Sequence, residues 1–294
     1  MGVFLNARHH PQTNQYEESS PMSLRFSANP VNFVRTLVKN RDLLSSLSRR
    51  EIESKYRGTN VGLLWAVLNP LIMLSVYTFF FTAVLKSRWP GVSSSSIDFS
   101  LILFPGLLVF SFFSECVSKA PLMVMGNQSY VKKIIFPLET LPVTTTVAAT
   151  VHTAIGFMIW IVYYLVVKQE VHLSWLTLWM PFIPLALLTL GICWMLAALG
   201  VFFRDITHIV TGVLGALMFL SPIFFPLSAV PESYRRVITL NPITVAVEQV
   251  REILYHGQFI DIRQWSIYLL ISLCVAWIGL VVFQRTRGGF ADVV

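Results

Sequence analysis

From Val61 to Leu85 the chain runs for 25 residues without one charged side chain. At about 1.5 Å per residue, such a helix is roughly 37 Å long, enough to cross a hydrocarbon core of about 30 Å. The segment must therefore sit in lipid or inside a very large apolar core. Composition decides between these. Hydrophobic residues are 55% of the 294-residue chain and charged residues only 13%, against about 25% charged in a soluble domain. Five more apolar segments follow: Phe99–Val117, Leu141–Val167, Trp175–Phe203, Ile206–Phe225 and Ser266–Phe283. The sequence thus predicts an all-α integral membrane protein with six transmembrane helices.

An even number of spans puts both termini on one side, and the distribution of Lys and Arg decides which. With cytoplasmic termini, 15 of the 22 basic residues lie inside and seven lie outside. The expectation is a multi-pass protein with both termini in the cytoplasm. The net charge of +7 is explained by this sorting and by anionic headgroups rather than by nucleic acid. Residues 1–28 lack an apolar signal-peptide core and read as a polar, mobile tail. Gly2 is not followed by the Ser or Thr that a myristoylation signal needs. Cys116, Cys193 and Cys274 share no metal-ligand or redox spacing and read as packing or lipid-facing residues.

Residues 29–60 read differently. Asn29 can cap a helix and Pro30 suits its first position. Phe33, Val34, Leu37, Val38, Leu44 and Leu47 then recur at helical spacing, with Arg35, Lys39, Arg41 and Asp42 between them. Such a helix lies in the membrane interface, apolar side toward acyl chains. Its last part, "RREIESKYR" (Arg49 to Arg57), carries six charges in nine residues and runs directly into the first span.

Two connections exceed what a helical bundle needs. The cytoplasmic one, within residues 119–140, sets Ile134, Ile135 and Phe136 beside Lys132 and Lys133, with Glu139 at its end. Exposed apolar residues flanked by lysines look like a docking surface; the alternative is that they fold back on the spans. The outer one, residues 226–265, holds a helix begun by Asn241 and Pro242 and stopped by Gly257. A shorter helix, Glu232–Leu240, precedes it. These two read as amphipathic helices that dip into or lie on the outer leaflet. Non-helical backbone at their turns requires cover from protein or water.

The chain has no phosphate-cradling loop and no metal-spaced His pair. No catalytic, cofactor-binding or metal residue is expected. His152 in the third span and Glu115 near the inner end of the second are intramembrane ionisable residues. For His152 a hydrogen bond between helices is the favoured reading over a substrate contact. The spans are rich in rings: Tyr77, Phe79, Phe80 and Phe81 end the first, and Phe219, Phe224 and Phe225 end the fifth. Each ring alone is ordinary belt or packing. Together their faces suit the apolar C–H faces of sugars.

These motifs occur in a telling order. "KYRGTNVGLLWAVLNP" contains Tyr56, Gly62, Trp65 and Pro70. It is followed by "IIFPLETLPV", "FFRDI" with Arg204 and Asp205, "SPIFFP" and "NPITVAVEQVRE". Each motif is weak alone, but the series, from about residue 30 to 285, resembles the ABC-2 type polysaccharide-export permeases. These are membrane subunits of O-antigen, capsule and teichoic-acid exporters. Val61 stands where Leu or Ser is usual, and the N-terminal tail is longer than in compact members. The resemblance implies a half-transporter of the bacterial inner membrane. Two copies would form a conduit for a lipid-linked polysaccharide, and two copies of a separate cytoplasmic ATPase would bind ATP and Mg. It implies that Arg49, Arg50, Lys55, Tyr56 and Trp65 frame a lateral opening, and that Lys132, Lys133, Ile135, Phe136 and Glu139 couple to the ATPase. Tyr77, Phe80, Phe219 and Phe225 would line the conduit, and the outer helix pair would be re-entrant before the last span. The domain scheme that follows is a tail (1–28), an interface helix (29–60), a six-span permease unit (61–285) and a C-terminal tail (286–294).

Two other classes compete. A secondary transporter calls for matching inverted halves and midplane charge, and the two halves here do not match. A membrane-embedded glycosyl- or acyltransferase calls for an oriented acid or His, and nothing orients His256 or Asp261. The topology is checked by cysteine labelling of intact cells. Single cysteines at Ser94 and Ser233 are expected to react with an impermeant reagent, and one at Ser129 to stay protected; the reverse pattern overturns the orientation.

Overall fold

The computed structural model describes residues 30–58, 61–84, 89, 96–128 and 136–293. Among these the regular structure is helical, with no strand. Four stretches are long and apolar enough to cross a membrane: Ile97–Leu122, Thr140–Lys168, Leu173–Phe202 and Ile262–Gly289. Two shorter apolar helices, Trp65–Phe79 and Ile206–Leu220, accompany them. The chain is an all-helical, multi-pass membrane protein.

The interface segment forms two helices, α1 (Pro30–Lys39) and α2 (Arg41–Tyr56). They are separated at Asn40, which leaves helical geometry (φ −104°, ψ 24°); its side-chain amide donates to the Thr36 carbonyl at 2.8 Å, alongside its own backbone N–H at 3.0 Å. Asn29 lies outside the described residues. The chain then turns through Gly58 and Gly62, at φ 85° and 55°. Only glycine takes these left-handed values without strain, so this corner lets a charged helix pass directly into an apolar one. Next come α3 (Trp65–Phe79), extended by a wide turn over Phe80–Val84, and α4 (Ser96–Lys119).

The centre of the molecule is α4. Leu101, Ile102, Leu103 and Val109 are wholly buried, and Phe104 and Phe112 nearly so. The apolar pattern of a helix buried on all sides has no polar face to find, which is why this element reads as a span without directional detail. α5 (Thr140–Lys168) packs beside it and pins it through the Trp160 indole, which donates to the Leu101 carbonyl at 2.9 Å. α6 (Trp179–Phe202) pairs closely with α10 (Ile262–Thr286). A Cβ at Gly279 would strike the Gly191 carbonyl oxygen, so glycine is what allows the two backbones this approach.

In the chain, α7 (Ile206–Leu220), α8 (Glu232–Leu240) and α9 (Pro242–Leu254) come between these two helices. The sequence runs the fifth segment to Phe225, but α7 stops five residues earlier. Ser221 is extended (φ −98°, ψ 146°) because it precedes Pro222. At about 22 Å, α7 alone is shorter than the hydrocarbon core. The Asn241 side chain accepts from the Ile243 amide at 3.0 Å, so the cap is where the sequence expects it. The apolar face of α9 does not meet lipid: Ile243, Val247, Val250 and Leu254 are wholly buried in the same core as α4. Cys116 and Cys193 are buried in that core and Cys274 is exposed.

Candidate functional site

The residues around the charged-to-apolar corner converge on one cavity of about 350 Å³, set between α2, α3, α4 and α5. Tyr56, Trp65, Tyr77 and Phe104 supply its ring walls, with Met73 and Met218 beside them. Lys55, Glu115 and His152 form a charged group in its wall, Asn69, Ser111, Ser114 and Thr153 are its other small polar residues, and apolar side chains supply most of the rest.

That charged group follows from helical spacing. Glu51 and Lys55 are four residues apart on α2, and Glu115 and Lys119 are four apart on α4, so each pair shares a helix face. Where the helices meet, the pairs exchange partners. Lys55 Nζ reaches Glu115 Oε2 at 3.0 Å, and Lys119 Nζ reaches Glu51 Oε1 at 2.8 Å. Lys119 Nζ also lies 3.5 Å from Glu115 Oε1. His152, one helix over on α5, sets its Nδ1 3.0 Å from Glu115 Oε1. Its ring meets Tyr56 edge-on at 5.6 Å between centroids. Two carboxylates balance two ammonium groups, so the cluster can sit at a membrane edge without large net charge. The sequence alone marks Glu115 and His152 as intramembrane ionisable residues without linking them to each other. The repeated E-x-x-x-K spacing, at Glu51/Lys55 and at Glu115/Lys119, was the signal that could have joined them.

Lys55, Tyr56 and Trp65 thus share the cavity wall. Arg49 and Arg50 do not. Arg49 is turned outward and pairs with Glu53 on its own helix at 2.8 Å, while Arg50 lines a separate groove with Lys119 and Asn127.

The rings of the two span ends are also brought together, through Phe81 and Phe224. Phe224 stacks on Phe81 at 4.9 Å and 13° between planes. Tyr77 and Phe219 approach Phe224 at 5.9 and 5.8 Å, and Phe80 meets Phe81 edge-on at 5.5 Å. Phe225 is half-buried next to Phe224. Tyr77 belongs both to this cluster and to the cavity wall, so the two features are continuous.

Of the cytoplasmic loop, Lys132, Lys133 and Ile135 lie outside the described residues. Phe136 and Glu139 are held by Arg287 from beyond α10, which bonds the Glu139 carboxylate at 3.0 Å and the Phe136 carbonyl at 2.8 Å. Trp194 on α6 donates to the Glu139 carbonyl at 3.0 Å, and Phe33 of α1 packs edge-on against Trp194 at 5.2 Å. The loop's end is therefore tied to the interface helix, the centre of the bundle and the C-terminal segment.

Stacked apolar helices around a cavity with an ion-paired group in its wall define a multi-pass membrane protein. Residues 42–255 match the ABC-2 type transporter family, and the chain belongs to that family. It is 29% identical over 266 residues to the O-antigen export system permease protein RfbA of Myxococcus xanthus, covering 89% of this chain and 99% of that one. A protein of the same name from Klebsiella pneumoniae is 25% identical, over 86% of this chain and 95% of its own. The polysialic acid transport protein KpsM of Escherichia coli is 24% identical, over 83% and 93%.

The exchanged ion pairs are testable by a double-mutant cycle on thermal denaturation of the purified chain. Glu115 is 16% exposed and holds two lysines and His152, whereas Lys55 is 38% exposed. Glu115→Gln is expected to destabilise more than Lys55→Met. Their coupling is expected at about 0.5–1 kcal/mol for a partly exposed pair. A coupling of zero would mean the bridge does not hold α2 to α4.

Proposed function

We propose that this chain is the membrane subunit of an ATP-driven exporter that carries a lipid-linked polysaccharide across the bacterial inner membrane. The observation that carries the reading is the likeness along nearly its whole length to permeases named for O-antigen export. O-antigen-type cargo is the first reading; capsular polysaccharide is the second, favoured by the KpsM likeness.

In this proposal the chain works as a homodimer with two copies of a cytoplasmic ATPase, which holds the ATP and Mg. The chain crosses the membrane six times, with both termini on the cytoplasmic side that the Lys and Arg distribution favours. The first crossing is Gly62–Val84, where the short turn, α3 and the wide turn give 23 continuous residues, about 34 Å as a helix. The fifth is α7 followed by the Ser221–Phe225 turn, and α8 and α9 form the re-entrant pair before the last crossing.

The cargo enters sideways between α2 and α3. Lys55, Tyr56 and Trp65 border this opening, with Arg49 and Arg50 on its cytoplasmic rim. The mostly apolar cavity suits a lipid tail, and its charged group suits the boundary between tail and headgroup. From there Tyr77, Phe80, Phe219 and Phe225 offer ring faces over which a glycan slides. Contacts of this kind are modest and repeated, like the stacking that lets single strands track through a channel. A midplane poor in fixed charge avoids arresting the chain. Lys132, Lys133, Ile135 and Phe136 dock on the ATPase, and Glu139 passes its movement to the bundle through Arg287 and Trp194. The alternatives, a secondary transporter or a membrane-embedded transferase, have no observation in their favour.

In cells that make the glycan, removing this chain is expected to abolish surface glycan and retain it inside, and restoring the chain to reverse both. Restoring it with Tyr77→Ala, Phe80→Ala and Phe225→Ala combined is expected to lower surface glycan, at unchanged permease abundance and co-purified ATPase. Each single change should be mild. Surface immunoblotting reads the outcome. Normal display without the chain refutes the export role, and normal display with the triple variant returns these rings to packing.

A further inference from the structure

We propose that Arg251 is a positioning residue that keeps the outer exit of the conduit sealed at rest, by tying the Ser221–Phe225 turn and the Trp89 ring to α9. The guanidinium is a charge in an unusual place. It is 2% exposed, and it is the one charged side chain among the buried residues of its helix, which are otherwise apolar or, at Thr244 and Gln249, neutral. Burying such a group is costly unless its charge and donors are met, and here they are met by four different elements. Nη1 bonds Glu248 on its own helix at 2.6 Å. Nη2 bonds the Pro222 carbonyl at 2.8 Å and lies 3.4 Å from that of Ile223. Nε lies 3.4 Å from the Ile102 carbonyl of α4. The guanidinium carbon stands 4.6 Å from the centroid of the Trp89 ring.

These partners explain why arginine stands there. The carbonyls of Pro222 and Ile223 lie just past the end of α7, where no helix continues to satisfy them. Polar backbone at membrane depth must find a partner in the protein. A planar fork that is also a cation meets three carbonyls, a carboxylate and an aromatic face together. The compact ammonium of lysine cannot span them.

The consequence is a closed ring of contacts. Trp89 packs edge-on against Phe99 at 6.3 Å, Phe99 stacks with Phe81 at 5.8 Å, and Phe81 stacks with Phe224 at 4.9 Å. Phe224 follows Ile223, whose carbonyl is on Arg251. The guanidinium therefore joins the two ends of the aromatic chain that crosses the outer ends of α3 and α7. With the fork intact, Phe224 is held against Phe81 and Tyr77, and the rings close on one another. Without it, the turn loses its only charged donor among the described residues and the rings can part. This inference rests on the reading that α3 and α7 border a conduit.

The test is passive leak. The complete transporter, permease with its co-purified ATPase, is reconstituted without nucleotide into vesicles loaded with carboxyfluorescein. Arg251→Lys and Arg251→Met are compared with the unaltered chain at equal protein. Losing charge-assisted bonds from a closed state is expected to raise dye release about tenfold. In a chain freed of its three native cysteines, Phe224→Cys should react faster with an impermeant maleimide added outside when Arg251→Lys is present. A purely structural role would lower the amount of protein without opening a leak in what remains. If neither Arg251 variant accumulates, Trp89→Leu removes the ring under the guanidinium and no backbone partner, and the same leak is expected from it. Tight vesicles and unchanged labelling overturn the proposal. Because no glycan is present, that failure would leave the export reading standing.

Discussion

Hydrocarbon offers no hydrogen bonds, so every backbone amide and carbonyl that enters it must find a partner within the protein. This chain satisfies the rule cheaply along its long helices and with more effort wherever a helix stops early. The stop after α7 is the sharpest case. Pro222 forbids the helix to continue, and the freed carbonyls are taken up by the buried fork of Arg251. The Asn241 amide adds a bond to the Ser221 hydroxyl at 2.8 Å. On the same side, the Ser174 hydroxyl and the Trp175 indole cap the last carbonyls of α9, at Ile253 and Leu254. Broken helices near the outer end are thus affordable because polar side chains from neighbours complete them, and this gives the turn that carries Phe224 a fixed place.

The opposite end has a different problem, which is charge. The interface helix is basic and meets the bundle where lipid begins. Exchanging partners between two Glu–Lys pairs lets α2 lie against α4 without leaving a bare charge at the boundary. Adding His152 extends the contact to α5. The cavity wall then combines charged groups already paired with one another and a set of rings. That combination suits a molecule that is apolar at one end and polar at the other, and it sits at the corner shaped by Gly58 and Gly62.

The sequence made the long-range plan legible because hydropathy and helical period act over many residues. The apolar segments, the cap at Asn241 and the helices Glu232–Leu240 and Pro242–Leu254 were all readable. So was the favoured reading of His152 as a bond between helices. What was not readable depended on which faces meet. The full burial of α9 against α4 looked like a lipid-facing stripe, because an apolar face carries no mark of what covers it. The early end of α7 was hidden by counting Pro222 as merely apolar. Phe81 and Phe224 were passed over in favour of Phe80 and Phe225, since a run of consecutive rings does not say which one points at a neighbour. Arg251 was counted only as an outer-loop charge, whereas the fold sends it inward. The break at Asn40 was likewise local chemistry lost within an amphipathic pattern.

The central claim is that the cavity beside Trp65 is the side entrance for a lipid-linked glycan. A photo-crosslinking amino acid placed at Trp65 in living cells tests it most directly. The account predicts that irradiation joins the permease to a species recognised by antibody against the glycan, and that this adduct disappears when glycan synthesis is blocked. An adduct with membrane phospholipid alone, unchanged whether or not the glycan is made, would contradict it.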